Sequence, residues 1–150
     1  MSKLVSGDAK IDDLNIVREA ATALRWTVHT HIDGVRVSYF GGLDAVCDIV
    51  IQPQGEDNKY GHDVGSKYTI GFQQDQTTGK VTMLHDNAMD GAEQYSIESG
   101  QQDQTTQRVV GKLKQAISEV QLRRIYAAHR VSWRSEVRAD QAHVHVIYRG

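Results

Sequence analysis

This chain of 150 residues has one cysteine and one proline. The lone thiol, Cys47, has no partner for an internal disulfide and no Cys-x-x-Cys spacing for zinc or redox chemistry. Within the apolar run AVCDIVI it reads as a small core residue. No apolar run reaches the roughly 18 residues that a membrane-crossing helix needs. The opening MSKLVSGDAKIDD lacks the basic-then-apolar layout of a secretory signal, so a cytoplasmic protein with no membrane partner is expected. Equally absent are G-x-x-x-x-G-K-S/T, a G-x-G-x-x-G after a strand, and G-x-S-x-G. Gly41-Gly42 lies between strand-like runs and reads as a turn rather than a phosphate cradle. No catalytic residue and no cofactor is expected, and the balance falls against an enzyme.

What is present suits one globular domain over 1–150, because 39% hydrophobic residues in a chain of this size are enough for a single core. A first strand near Lys3 to Lys10 precedes a helix that Asp12 or Asp13 caps, with Leu14, Val17, Ala21 and Leu24 at helical spacing and an end near Arg25. WTVHTHI then alternates, with Trp26, Val28 and Ile32 on one side and His29 and His31 on the other, and Asp33-Gly34 turns it into VRVSYF as a hairpin. VCDIVI follows as one strand, and residues 52–67, which hold the only proline and three glycines, read as a long exposed loop. YTIGF and KVTML make a second hairpin. A helix starts near Thr106 with an apolar stripe of Val109 or Val110, Leu113, Ala116 or Ile117 and Val120. Leu122 and Ile125 are out of phase with that stripe, so a break near Gln121 is expected. VSWRSEV and AHVHVIY close the chain. The fold class is α+β, an antiparallel sheet of about six to eight strands with two helices packed on one face.

Two H-x-H pairs draw the eye to metal chemistry. In His29-Thr30-His31 and His143-Val144-His145 each pair lies on one face of its strand, and two such strands side by side would offer four imidazoles. HTHID also echoes the start of hydrolytic metal sites, yet nothing later in the chain supplies further spaced ligands. The alternative is a wet sheet face lined with histidines. A two-residue turn at Asp140-Gln141 favours it, placing Val137 opposite Val144, Trp133 opposite Tyr148 and Glu136 opposite His145, which makes an ion pair.

Charge is unevenly spread. Residues 1–107 carry 8 Lys/Arg against 16 Asp/Glu, a balance of −8, and residues 108–150 carry 9 against 3, a balance of +6. Arg123, Arg124, Arg130, Arg134 and Arg138, near Tyr126 and Trp133, are candidates for a partner-binding or phosphate-binding face. Spaced along a helix and a strand, they serve equally as a complement to the acidic remainder, and nucleic acid is not the expected partner.

QQDQTT occurs at 73–78 and again at 101–106. Its flanks make the first copy a hairpin tip, with Gly79 leading out, and the second a helix start, with Thr105 or Thr106 as cap.

Four pieces of this layout carry a resemblance: KIDDLNIVREAATALRW, YTIGFQQDQTTGKVTMLHD, TTQRVVGKLKQAI and the closing HVHVIYRG. In order and pattern the chain resembles the DUF1257 family, which includes the Ycf35-like proteins of chloroplasts and cyanobacteria. It departs from that pattern in the 52–67 loop, in the extended second helix and in lacking tryptophans after His85-Asp86. The resemblance brings no catalytic residues with it. It implies a protein of accessory or adaptor type whose partner is another protein, an AAA-type ATPase among the candidates, with self-association left open. The alternatives are a metal-dependent, hydrolytic site on the four histidines and a nucleic-acid accessory protein using the basic last third.

Overall fold

The computed structural model describes residues 4–8, 13–39, 43–57, 61, 63–64, 68–86, 104–129, 132–137 and 143–148. In chain order the elements are β1 (Leu4–Asp8), α1 (Leu14–Ala23), β2 (Thr27–His29), β3 (Val35–Tyr39), β4 (Leu43–Cys47), β5 (Ile49–Gln52), β6 (Ile70–Gln74), β7 (Val81–Asp86), α2 (Gln104–Ala128), β8 (Ser132–Val137) and β9 (His143–Tyr148). Among the described residues the α+β class with two helices holds. The single sheet of six to eight strands does not: β1-β7-β6-β5-β2 form a five-stranded sheet, while β3-β4 and β8-β9 are separate two-stranded ribbons, every pairing antiparallel.

Alternation decides how these layers stack. In register, Ile49 pairs with Phe72, Ile51 with Ile70, and Phe72 with Met83, so one sheet face collects Ile49, Ile51, Ile70, Phe72, Val81 and Met83. Both helices cover that face, with Ile16, Val17, Ala20 and Ala21 from α1 and Val109, Val110, Leu113, Ile117 and Val120 from α2. The opposite face presents Val50 and Leu84 to a smaller cluster with Val37 and Cys47 of the β3-β4 ribbon. Cys47 is buried there as a core residue. Gln73 Nε2 donates to Val46 O at 2.9 Å and fixes the ribbon to the sheet.

One residue splits what reads as a single strand in VCDIVI. Asp48 N donates to Phe72 O at 2.8 Å and its Oδ2 accepts from Gln74 N at 2.7 Å, so the chain leaves the ribbon at Cys47 and enters the main sheet at Ile49. Strand β2 likewise pairs with β5 and not with β3, which removes the expected hairpin across Asp33-Gly34. Those residues form a turn between two layers, with Gly34 N donating to His31 O at 2.9 Å. Gly34 has φ +84°, and a Cβ there would stand 2.6 Å from Val46 Cγ1. Ile32, read as facing the core with Trp26, is 96% exposed at the tip of this turn.

Helix α1 is capped at both ends by identifiable bonds. Asp13 Oδ1 accepts from Asn15 N at 2.9 Å at the N-terminus. At the C-terminus Arg25 takes φ 61°, and the Arg25 and Trp26 N–H groups donate back to Thr22 O and Ala21 O, both at 3.0 Å. This two-bond motif normally has glycine at the left-handed position. It turns Trp26 directly into the core.

Helix α2 runs unbroken through Gln121, against the expected break, and Leu122 and Ile125 simply leave the core past Val120. Thr105 and Thr106 lie inside its first turn and are buried, so neither is the cap. The first QQDQTT does turn a hairpin, that of β6 and β7. Asp75 Oδ1 accepts from Thr77 N at 2.8 Å and Thr78 N at 2.9 Å, and Gly79, at φ +74°, donates its N–H to Asp75 O at 2.9 Å. These N–H groups, Thr78 first and Thr77 second, hold the Asp75 carboxyl below its ordinary value of 3.8.

Replacing Arg25 by glycine removes the left-handed strain, and Arg25→Gly is expected to stabilise the fold by about 0.5–1 kcal/mol, read as a higher urea midpoint at unchanged m value. A carboxyl with a lowered folded value adds stability that is present above the unfolded value and lost as pH falls through the folded one. Asp75→Ala is therefore expected to lower the Tm at pH 7, with the gap to wild type closing between about pH 5 and pH 2. A gap that stays constant across that range contradicts the role of the charged form.

Candidate functional site

The four histidines do not assemble as two neighbouring strands. His29 ends β2 in the five-stranded sheet, and β9, with His143 and His145, pairs only with β8 among the described residues. His29 Nε2 lies 3.0 Å from Gln52 Oε1. His31 falls beyond the strand, in the turn, where its Nδ1 accepts from Asp33 N at 3.1 Å. Strand alternation therefore stops before it can align the pair. Among the described residues no three His, Cys, Asp or Glu side chains converge in a way that would hold a metal ion.

The closing ribbon has another register than the one expected. Glu136 pairs with Val144, Ser135 with His145, Trp133 with Ile147 and Val137 with His143. Every pair is shifted by one from the register that a two-residue turn at Asp140-Gln141 would give. Glu136 is thus not opposite His145. The side chains of both ribbon strands, Arg134, His143 and His145 included, lie outside the described residues, as do Arg130 and Arg138.

Of the arginine candidates, Arg123 and Arg124 are both exposed on α2. Arg124 Nη1 donates to Asp13 Oδ2 at 2.9 Å and Nη2 to Glu19 Oε2 at 3.2 Å, joining the far end of α2 to the cap and second turn of α1. The Asn15 N–H and then the Arg124 guanidinium hold the Asp13 carboxyl below its ordinary range, and the two carboxylates raise Arg124.

A second cationic pair went unread in the sequence. Glu56, inside the stretch taken for an exposed loop, has a side chain only 9% exposed; its Oε1 accepts from Lys112 Nζ at 2.6 Å and its Oε2 from Arg108 Nη1 at 3.3 Å. Arg108 Nη2 also donates to Asp57 O. Pro53 and Val64 are buried beside it, and Val64 N donates to Glu56 O at 3.0 Å. At Glu56 and Asp57 this stretch is thus docked on the first half of α2. The i, i+4 spacing of Arg108 and Lys112 was visible in the sequence, but nothing local pointed to the carboxylate more than fifty residues away.

The remaining candidate is a groove of about 600 Å³ between α1 and the second half of α2, lined by Ile16, Ser118, Gln121, Leu122, Arg124 and Ile125. Buried α2 residues end at Val120, and Ile125 is 51% exposed. The apolar part of the wall offers area rather than reactive groups, and the Arg124 pairs with Asp13 and Glu19 close one side. Its lining sets no His, Cys, Asp or Glu beside the Ser118 hydroxyl. No protein-family model, no curated protein and no solved structure matches the chain.

Removing the Glu56 carboxylate leaves two cations facing a position shielded from water. Glu56→Ala is expected to destabilise the protein by about 1–3 kcal/mol, and Lys112→Ala by less, because the half-exposed ammonium regains water. Limited proteolysis is expected to cut the Glu56→Ala variant first within 53–64. Protection equal to wild type there contradicts the docking role.

Proposed function

We propose that this chain is a non-enzymatic accessory or adaptor protein that works by binding another protein. The observation that carries the reading is the open groove along α1 and α2, where Ile125 stays half in water at the end of an uninterrupted helix. An apolar side chain in that position gains little for folding, and burial against a partner recovers the lost area at roughly 25 cal/mol per Å² before the costs of association. The rim supports the same reading, because charged groups at the edge of an apolar patch guide and register a partner more than they add affinity. The DUF1257 resemblance supplies an AAA-type ATPase as the partner class to try first, with the adaptor acting inside a larger assembly.

The metal and nucleic-acid readings gain no comparable observation. His29 and His31 each spend a ring nitrogen on a neighbour, and Arg124 is spent on Asp13 and Glu19.

Immobilised wild-type chain is expected to retain a protein partner that Ile125→Glu loses. Ile125 is half exposed, so this variant is expected to keep its circular dichroism and Tm. A pull-down returning neither a partner nor a second copy of the chain counts against the reading.

A further inference from the structure

Asp13 does two jobs with one carboxylate. Its Oδ1 accepts from Asn15 N at 2.9 Å and caps α1, while its Oδ2 accepts from Arg124 Nη1 at 2.9 Å, 111 residues along the chain. The other Arg124 nitrogen, Nη2, donates to Glu19 Oε2 at 3.2 Å, so one guanidinium bridges the cap of α1 and its second turn. Ile16 lies between those two carboxylates in the sequence and lines the groove together with Arg124 and Ile125. Its N–H donates to Asp13 O at 3.1 Å, so the residue that takes the arginine also accepts the first backbone bond of α1.

On the α2 side the core's hold ends at Val120, and no residue from 121 to 129 is buried. The helical pattern still carries on to His129, whose N–H donates to Ile125 O at 3.1 Å. A helix end without buried side chains opens far more readily than the core does. Here that end is tied to the residue that caps the other helix. We propose that the clasp of Arg124 on Asp13 and Glu19 is a conformational device, coupling the first turn of α1 to the last two turns of α2 so that both walls of the groove form and open as one unit. When the end of α2 leaves α1, Asp13 loses the cation that holds its carboxylate in the capping position. When the cap is lost, Arg124 loses its better-placed partner. Coupling of this kind is reciprocal, each end loosening the other by the same factor. The clasp is about half exposed and therefore sensitive to salt, and each of its pairs shifts the opening equilibrium by up to about fivefold. The inference rests on the protein-binding reading only for its use, which is to regulate the groove, since the coupling itself belongs to the free chain.

Amide hydrogen exchange, followed residue by residue by NMR on the free chain, reads this opening. Arg124→Gln keeps helix propensity and drops the charge. It is expected to speed exchange about two- to tenfold at Ile125 to His129 and equally at Asn15 and Ile16, with Leu113 unchanged. Asp13→Asn, which keeps a good cap, is expected to speed the same two groups. Glu19→Gln, which leaves the cap bond in place, is expected to give the same pattern at smaller size. Raising salt is expected to speed these amides in the wild type and not in Arg124→Gln. Exchange in Arg124→Gln that rises at 125–129 but stays at the wild-type rate at Asn15 and Ile16 overturns the coupling. An equal rise at Leu113 overturns it too, because the whole fold is then opening. Lost coupling in a chain that still holds a protein through Ile125 removes the clasp and leaves the binding reading standing. Coupled exchange in a chain that holds no protein supports the clasp and overturns that reading.

Discussion

Ile51, Ile70 and Phe72 have no accessible surface; Ile51 and Ile70 are register partners across β5 and β6, and Phe72 lies two residues on along β6, on the same face. Burying each of them is worth about 1.5–3 kcal/mol relative to exposure, and that gain is realised only if helices cover the face. Val17, Ala20 and Ala21 of α1 and Val109 and Leu113 of α2, all close to fully buried, are the cover. The alanines allow α1 to sit close to the sheet, which leaves α2 to run alongside it. Every other feature, including the turn at Arg25 that throws Trp26 inward, follows from holding those two helices on that face.

Charge is the next level of organisation. The basic last third is spent in part inside the fold, since Arg108 and Lys112 close on Glu56, and Arg124 closes on Asp13 and Glu19. These two sets differ in kind. Glu56 is shielded from water and faces two cations, so its environment would be costly without them. The Arg124 set is about half exposed and acts chiefly as geometry, keeping the end of α2 beside the start of α1. One set attaches a long connection to the body, and the other defines the edge of the groove.

Legibility in the sequence divides along the range of the interactions. An aspartate cap at 12 or 13, the β6-β7 hairpin around the first QQDQTT and the buried stripe of α2 depend on neighbours within a few residues, and all three were readable. Asp48 was not, because a strand that changes sheets and one that does not share the same apolar alternation; only the Gln74 and Phe72 backbone groups across the sheet separate them. Glu56 looked like loop polarity for the same reason, its partners lying on α2. The phase change at Leu122 was visible, but its consequence was misread: a helix need not break where its buried stripe ends. The groove itself was invisible, since Ile16 and Ile125 are far apart in the chain.

Past Val120 the helix has no core to reward it, and yet it continues to Ala128. Gln121, Leu122, Arg123 and Arg124 are good helix formers, and the Arg124 bridge to Asp13 and Glu19 holds that turn against α1. Two turns of helix are thus kept rigid while Ile125 remains half exposed. A segment built only for stability would bury such a residue or end before it. Rigidity without burial is what a binding surface requires, because an anchor already fixed in its bound conformation loses little entropy when a partner arrives.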